Sequence, residues 1–170
     1  MGFAIRELLP EQAGEYTACH IACWRAAYRG IIPDEYLDNM LVEHEQLTER
    51  LRQSLNQPGD VRFYCAVFND RIIGRLIISQ YEDDDRPTDG EVRAIYLLPE
   101  FWDKGYGRQL MDFALEVLRQ TKHQTAVVWV LEENNRARRF YSKYGFETDG
   151  AQKEIILGKP LVALRYVLNL

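Results

Sequence analysis

From Asp103 to Leu118 the chain reads DKGYGRQLMDFALEVL, two glycines and two bases standing directly before an amphipathic helical pattern. A helix N-terminus leaves four N–H groups unpaired and carries roughly half a positive charge. Glycine puts no Cβ between a ligand and the backbone, and it accepts dihedrals that other residues resist. Gly105 and Gly107, with Lys104 and Arg108 beside them, therefore make a cradle suited to a phosphate or pyrophosphate. The plainer alternative is a tight turn that only starts a helix. A P-loop needs G-x-x-x-x-G-K-[ST], which the chain lacks, and a dinucleotide fingerprint needs a third glycine where Leu110 stands.

A second cluster, Cys19, His20 and Cys23, raises the question of a metal. On a helix His20 lies ~100° from Cys19, and no further Cys/His group exists to complete four ligands. Core packing is the expectation for these residues and for Cys65, and no metal is expected. A cysteine nucleophile has no evident His–Asn partner.

The elements that position such residues can be read from periodicity. Phe3–Leu8 reads as a strand, about 12–29 as a helix stopped by Gly30, and a second helix ends at Leu55 before the turn at 57–60. Its start lies near Asp34 or Val42. The period then shortens: Phe63–Phe68 and Arg71–Ser79 read as strands joined by a turn at Asn69-Asp70. A polar loop from Tyr81 to Gly90 contains the acidic run Glu82–Asp85. Glu91–Leu98 is a strand, Tyr106–Gln120 a helix, Thr125–Leu131 a strand, Asn134–Tyr144 a helix stopped by Gly145, and Leu161–Leu168 a last strand. The hairpin strands should be antiparallel, whereas strand–helix–strand over residues 91–131 requires a parallel pair.

Length and composition fit this order. A chain of 170 residues, 46% apolar, suffices for one domain over residues 1–170. A net charge of −5 and the absence of a basic block argue against nucleic acid. No apolar stretch approaches the ~18 residues of a membrane span, and no charged-then-apolar leader opens the chain. The expectation is a cytoplasmic protein with no membrane partner.

Two segments carry a resemblance. EVRAIYLLPEFWDKGYGRQLM resembles the strand–loop–helix signature of the GNAT superfamily of N-acetyltransferases, [QR]-x-x-G-x-[GA], with Trp102 standing where Gln or Arg is usual. ENNRARRFYSKYGF, Glu133 to Phe146, resembles the family's N-x-x-A-x-x-F-Y-x-x-x-G-F, and the element order agrees over essentially the whole chain. The resemblance implies the GNAT fold in the α/β (α+β) class: a mixed, mostly antiparallel sheet of about seven strands, one parallel splayed pair, and about four flanking helices. It also implies acetyl-coenzyme A as cosubstrate, lying between Glu91–Leu98 and Thr125–Leu131.

By the same resemblance, the backbone of Ile95, Tyr96 and Leu97 pairs with the pantetheine arm, and the Leu97 N–H polarises the thioester carbonyl. The segment Trp102, Asp103, Lys104, Gly105, Tyr106, Gly107 and Arg108 holds the pyrophosphate. Asn134 looks like the residue that contacts the pantetheine arm, with a helix N-cap as its other reading. Ala137, Phe140, Tyr141 and Tyr144 share one helix face, most of it core, with Ala137, Phe140 and Tyr141 toward the cosubstrate. Tyr141 is placed like the tyrosine that protonates the departing thiolate, a role a phenol of pKa ~10 can fill. Glu91 resembles a position where relatives carry a base, though ~20 Å from the far strand end, so a water chain would be needed.

Acceptor recognition is expected at Trp24, Tyr28 and Ile31 and at the acidic loop, against the plainer readings of core and solvated loop. The implied function is transfer of acetyl to a small primary amine by direct attack. The alternatives are a protein or peptide amine as acceptor, or a non-catalytic coenzyme A sensor. A homodimer is a further expectation, resting on Leu161–Leu170 (LVALRYVLNL), an apolar strand able to pair across a subunit boundary or to lie inside the sheet.

Overall fold

The computed structural model describes residues 2–57, 59–82 and 85–170. The strands are β1 (Phe3–Glu7), β2 (Arg62–Phe68), β3 (Arg71–Gln80), β4 (Gly90–Leu97), β5 (Thr125–Leu131), β6 (Glu147–Ile156) and β7 (Pro160–Asn169). The helices are α1 (Ala13–Tyr28), α2 (Asp34–Val42), α3 (His44–Leu55), α4 (Tyr106–Gln120) and α5 (Asn135–Tyr144). One sheet runs in the order β1-β2-β3-β4-β5-β7-β6, antiparallel throughout except for β4 and β5.

The expected second helix is two helices, α2 and α3, meeting at Glu43, which makes five α-helices among the described residues, in keeping with the about four expected. The strand β6 has no signal in the periodicity, and a seventh strand follows only from the resemblance. It is a mostly exposed edge strand of polar residues, so it lacks the apolar alternation that marks a half-buried strand. Its pairing also breaks between Thr148 and Gln152, where Gly150 sits at φ +88°. The apolar β7 lies between β5 and β6, with both edges already paired. It therefore offers no free edge, and of the two readings of Leu161–Leu170 the place inside the sheet is the one observed.

Neighbouring residues of a strand point to opposite faces, which assigns the helices to layers. Tyr96 meets Tyr28 of α1, while Leu97 lies against Gly107 of α4. On β7, Ala163 and Leu161 pack with Ile21, Leu37 and Met40 of α1 and α2, while Tyr166 lies beside Tyr141 of α5. The sheet thus carries α1 and α2 on one face and α4 and α5 on the other. The helix α4 buries Leu110, Met111, Ala114, Leu115 and Leu118 as one stripe, which fixes the angle at which its N-terminus meets the end of β4.

Among the described residues no helix is long and apolar enough to cross a membrane. Cys19, Cys23 and Cys65 are free and buried, and the described residues contain no group of three or more His, Cys, Asp or Glu able to hold a metal ion. His20 accepts a hydrogen bond from the buried Arg75, and burial together with that guanidinium pushes its pKa down to about 2.

Candidate functional site

The strands β4 and β5 pair only at Gly90–Ala126 and Glu91–Val127. Beyond that point β4 continues beside β3 as far as Leu97, and β5 beside β7 as far as Leu131, so the two part company. The parting begins at a bulge: Ile78 faces Val92 and Ile77 faces Ala94, leaving Arg93 as an extra residue on β4. A bulge bends and further twists its strand, which turns the rest of β4 away from its neighbour.

The gap opens into a cavity of about 510 Å³ walled by β4 from Val92 to Leu97, by Trp129 and Val130 of β5, and by parts of α1, α4 and α5. At one end lie Gly105 and Gly107. Gly105 precedes α4 at φ +84°, a conformation that strains residues with a Cβ, and Asp103 before it is at φ +56°. No heavy atom lies within 4 Å of where a Cβ on Gly105 would stand, so the approach to the helix N-terminus is open. Leu98 N–H is bonded to Ile73 O of β3 at 2.8 Å, so by alternation the N–H and C=O of Leu97 point away from β3 toward the gap. The Leu97 carbonyl accepts from Trp102 Nε1 at 2.7 Å, which leaves its N–H on the cavity side. Trp102 therefore braces the strand end and is itself covered by the Arg136 guanidinium, 4.2 Å from the ring centroid. Arg136 also donates to the Asp103 carboxylate at 3.0 Å.

On α5, Asn134 caps the helix: its side-chain oxygen accepts from Ala137 N–H at 3.1 Å. The residue is buried yet lines the cavity, so its amide NH₂ remains as a donor there. Tyr141 is buried against Phe140, Phe146 and Tyr166, and burial, assisted by the Tyr96 phenol, raises its pKa well above that of an ordinary phenol. Its hydroxyl has no hydrogen-bond partner among the described residues. Opposite it, the hydroxyls of Tyr28 and Tyr96 are 2.6 Å apart.

Ile95, Tyr96, Leu97, Trp102, Asp103, Gly105, Gly107, Arg108, Asn134, Ala137, Phe140 and Tyr141 all meet on this one cavity. Lys104 and Tyr106 do not line it: Lys104 lies over the Phe101 ring, and Tyr106 stacks on Phe3. Of the three expected acceptor residues only Tyr28 lines the wall. Trp24 packs edge-on against Tyr28 at 5.1 Å, and Ile31 belongs to the core cluster between α1, α2 and β7. Glu91 does not line the cavity: it lies where β4 and β5 are still paired, its carboxylate accepting from Arg93 Nε at 3.1 Å. Burial raises its pKa, against the opposing charge of Arg93.

Of the expected acidic loop, Asp83 and Asp84 lie outside the described residues. Glu82 is ion-paired with Arg93, and Asp85 with Arg165 at 2.7 Å, so both charges are locally matched. The sequence reading overlooked Cys23 and Ala27 of α1, Trp129 of β5, and Arg93, Arg136, Arg139 and Lys143, all of which line the cavity. The run RARRFYSK held the clue for the last three, since it concentrates bases on a helix directly after Asn134.

Residues 23–146 match the acetyltransferase (GNAT) family. An uncharacterized N-acetyltransferase of Bacillus subtilis, YuaI, is 30% identical over 97% of this chain and 98% of its own length. A spermidine N(1)-acetyltransferase of Thermoplasma acidophilum is 25% identical over 89% of this chain and 94% of its own. Among solved structures, the PaiA N-acetyltransferase of Thermoplasma acidophilum in complex with coenzyme A superposes with a TM-score of 0.77. It has 21% identity and covers all of both chains, a likeness of fold.

Proposed function

The chain belongs to the acetyltransferase (GNAT) family, and from that premise we propose that it transfers acetyl from acetyl-coenzyme A to a small primary amine by direct attack. The observation that carries this reading is the single cavity joining an open, glycine-bearing helix N-terminus to a buried, unpartnered phenol through the gap between β4 and β5. When bound, acetyl-coenzyme A supplies an activated acyl group and a thiolate that leaves with its electrons.

Backbone N–H groups from Lys104 to Arg108 hold the pyrophosphate, with the Arg108 guanidinium adding charge. The free edge of Ile95–Leu97 and the Asn134 amide orient the pantetheine arm. The Leu97 N–H faces the thioester oxygen and stabilises the charge that develops on it, a role worth ~3 kcal/mol per donor. Tyr141 gives its proton to the leaving sulfur. The proton lost by the attacking amine passes through water to Glu91, whose raised pKa brings it closer to the working pH. A small acceptor is favoured because the relative named for spermidine aligns with 89% of the chain.

Calorimetry with coenzyme A, followed by free-thiol release from acetyl-coenzyme A across alkylamines, polyamines and lysine peptides, tests this directly. The expectation is saturable coenzyme A binding and turnover with a small amine. Turnover with peptides alone would replace the acceptor class, and binding without any turnover would replace the enzyme by a sensor. No uptake at millimolar coenzyme A would end the reading.

A further inference from the structure

The chain carries a net charge of −5, yet the cavity wall holds five bases, Arg93, Arg108, Arg136, Arg139 and Lys143, and one acid, Asp103. Three of the five have carboxylate partners. Arg93 is paired with Glu91 and Glu82, Arg136 with Asp103, and Arg108 lies 3.9 Å from Asp112. Arg139 and Lys143 have no ion-pair partner among the described residues. They stand four apart on α5, so they share a helix face. They also bracket Phe140, whose ring is 3.6 Å from where a Cβ on Gly107 would stand. Two unneutralised cations, one helical turn apart, thus flank the anion cradle from the opposite wall.

We propose that Arg139 and Lys143 form a second anion subsite, which takes the ribose 3′-phosphate of coenzyme A and makes the protein discriminate against dephospho-coenzyme A. The inference rests on the coenzyme A reading above and extends it. Coenzyme A carries two separate anionic groups linked through one ribose. The α4 N-terminus, with its amides and Arg108, provides for one of them. A terminal phosphate dianion needs its own donors, and a guanidinium beside an ammonium supplies charge-assisted bonds that a hydroxyl in the same place would not call upon.

The test compares calorimetric affinities of coenzyme A and dephospho-coenzyme A at low ionic strength. It uses the intact protein, an Arg139→Gln/Lys143→Gln variant, and an Arg119→Gln/Lys122→Gln control that removes the same charge at the far end of α4. The intact protein and the control should prefer coenzyme A by about tenfold or more, a preference that shrinks with added salt. The α5 variant should lose that preference by weakening coenzyme A alone, with dephospho-coenzyme A held within about twofold.

Equal binding of the two ligands by the intact protein overturns the subsite and leaves the acetyltransferase reading standing. A preference lost equally in the control, or a parallel loss of both ligands in the α5 variant, overturns it too, since a general field or a disturbed fold then explains the effect. Failure of the intact protein to bind either ligand removes the subsite together with the function it extends.

Discussion

A phenol donates usefully only while it keeps its proton, and burial holds the Tyr141 hydroxyl protonated well beyond the ordinary phenol range. Tyr141→Phe should fold normally, because that hydroxyl has no partner to lose among the described residues. It should bind coenzyme A unchanged and lower kcat by about 100-fold. An unchanged kcat in steady-state kinetics removes the acid role. In the proposed mechanism Glu91 works in the opposite sense, as a base that must be ionised. Its pKa is raised by burial, so on this reading the rate of the intact protein should fall as pH drops through that value. Glu91→Gln should be slow at neutral pH and lack that limb, so that the two pH–rate curves converge in acid; parallel curves exclude Glu91. At this scale the sequence was informative about placement wherever a residue sat inside a spaced motif, as Gly105, Gly107, Asn134 and Tyr141 do, all four of which line the one cavity. It left Trp24 and Tyr28 open between core and acceptor contact, because helical spacing says which residues share a face but not whether that face meets a ligand or another helix. Trp24 and Ile31 pack against the core, and Tyr28 lines the cavity.

The position of Leu97 is set by its strand, and the strand by a glycine across the ladder. A Cβ on Gly74 would fall on the Tyr96 carbonyl oxygen and the Leu97 side chain. Gly74→Ala should therefore displace the end of β4, costing about 1–3 kcal/mol of stability and lowering kcat more than it weakens pyrophosphate binding. Thermal melts and kinetics together check this; a variant with native Tm and kcat would show that β4 shifts without consequence. The strands β2, β3, β4 and β5 were legible because they are apolar and bounded by turns. The bulge at Arg93 was not, since nothing in EVRAIYLL distinguishes the extra residue from its neighbours. The strand β6 escaped for a different reason: an edge strand facing water on most sides has no hydrophobic period to display.

Across the whole molecule, the loop before β4 is tied to the β6–β7 hairpin by Arg165. This guanidinium is 8% exposed and bonded to Asp149, Asp85 and the Tyr81 hydroxyl. Burial alone would raise the Asp149 pKa, but the Arg165 bonds and the Ala151 N–H outweigh it and hold the carboxyl below its usual range. A depressed native pKa stabilises the fold above the unfolded-state value, and that contribution fades as pH falls through the native one. Asp149→Asn should lose about 1–3 kcal/mol at neutral pH, with the gap to the intact protein closing in acid. Urea melts at several pH values measure this, and a gap independent of pH would assign the loss to shape instead of charge. The gross plan, helices on both faces of a mixed sheet, was readable from element order, whereas this long-range tie joins residues whose types alone reveal no partner.

The two-rung contact between β4 and β5 also has a mechanical meaning. Hydrogen bonds elsewhere in the sheet share load along whole strands, but β1–β4 and β5–β7 are stitched to one another at a single end, like the arms of a peg. On the proposed reading, a guest lying in the open end would be the missing thread, bracing both arms at once. The cosubstrate would then add its own bonds to a core cluster that already joins the two arms.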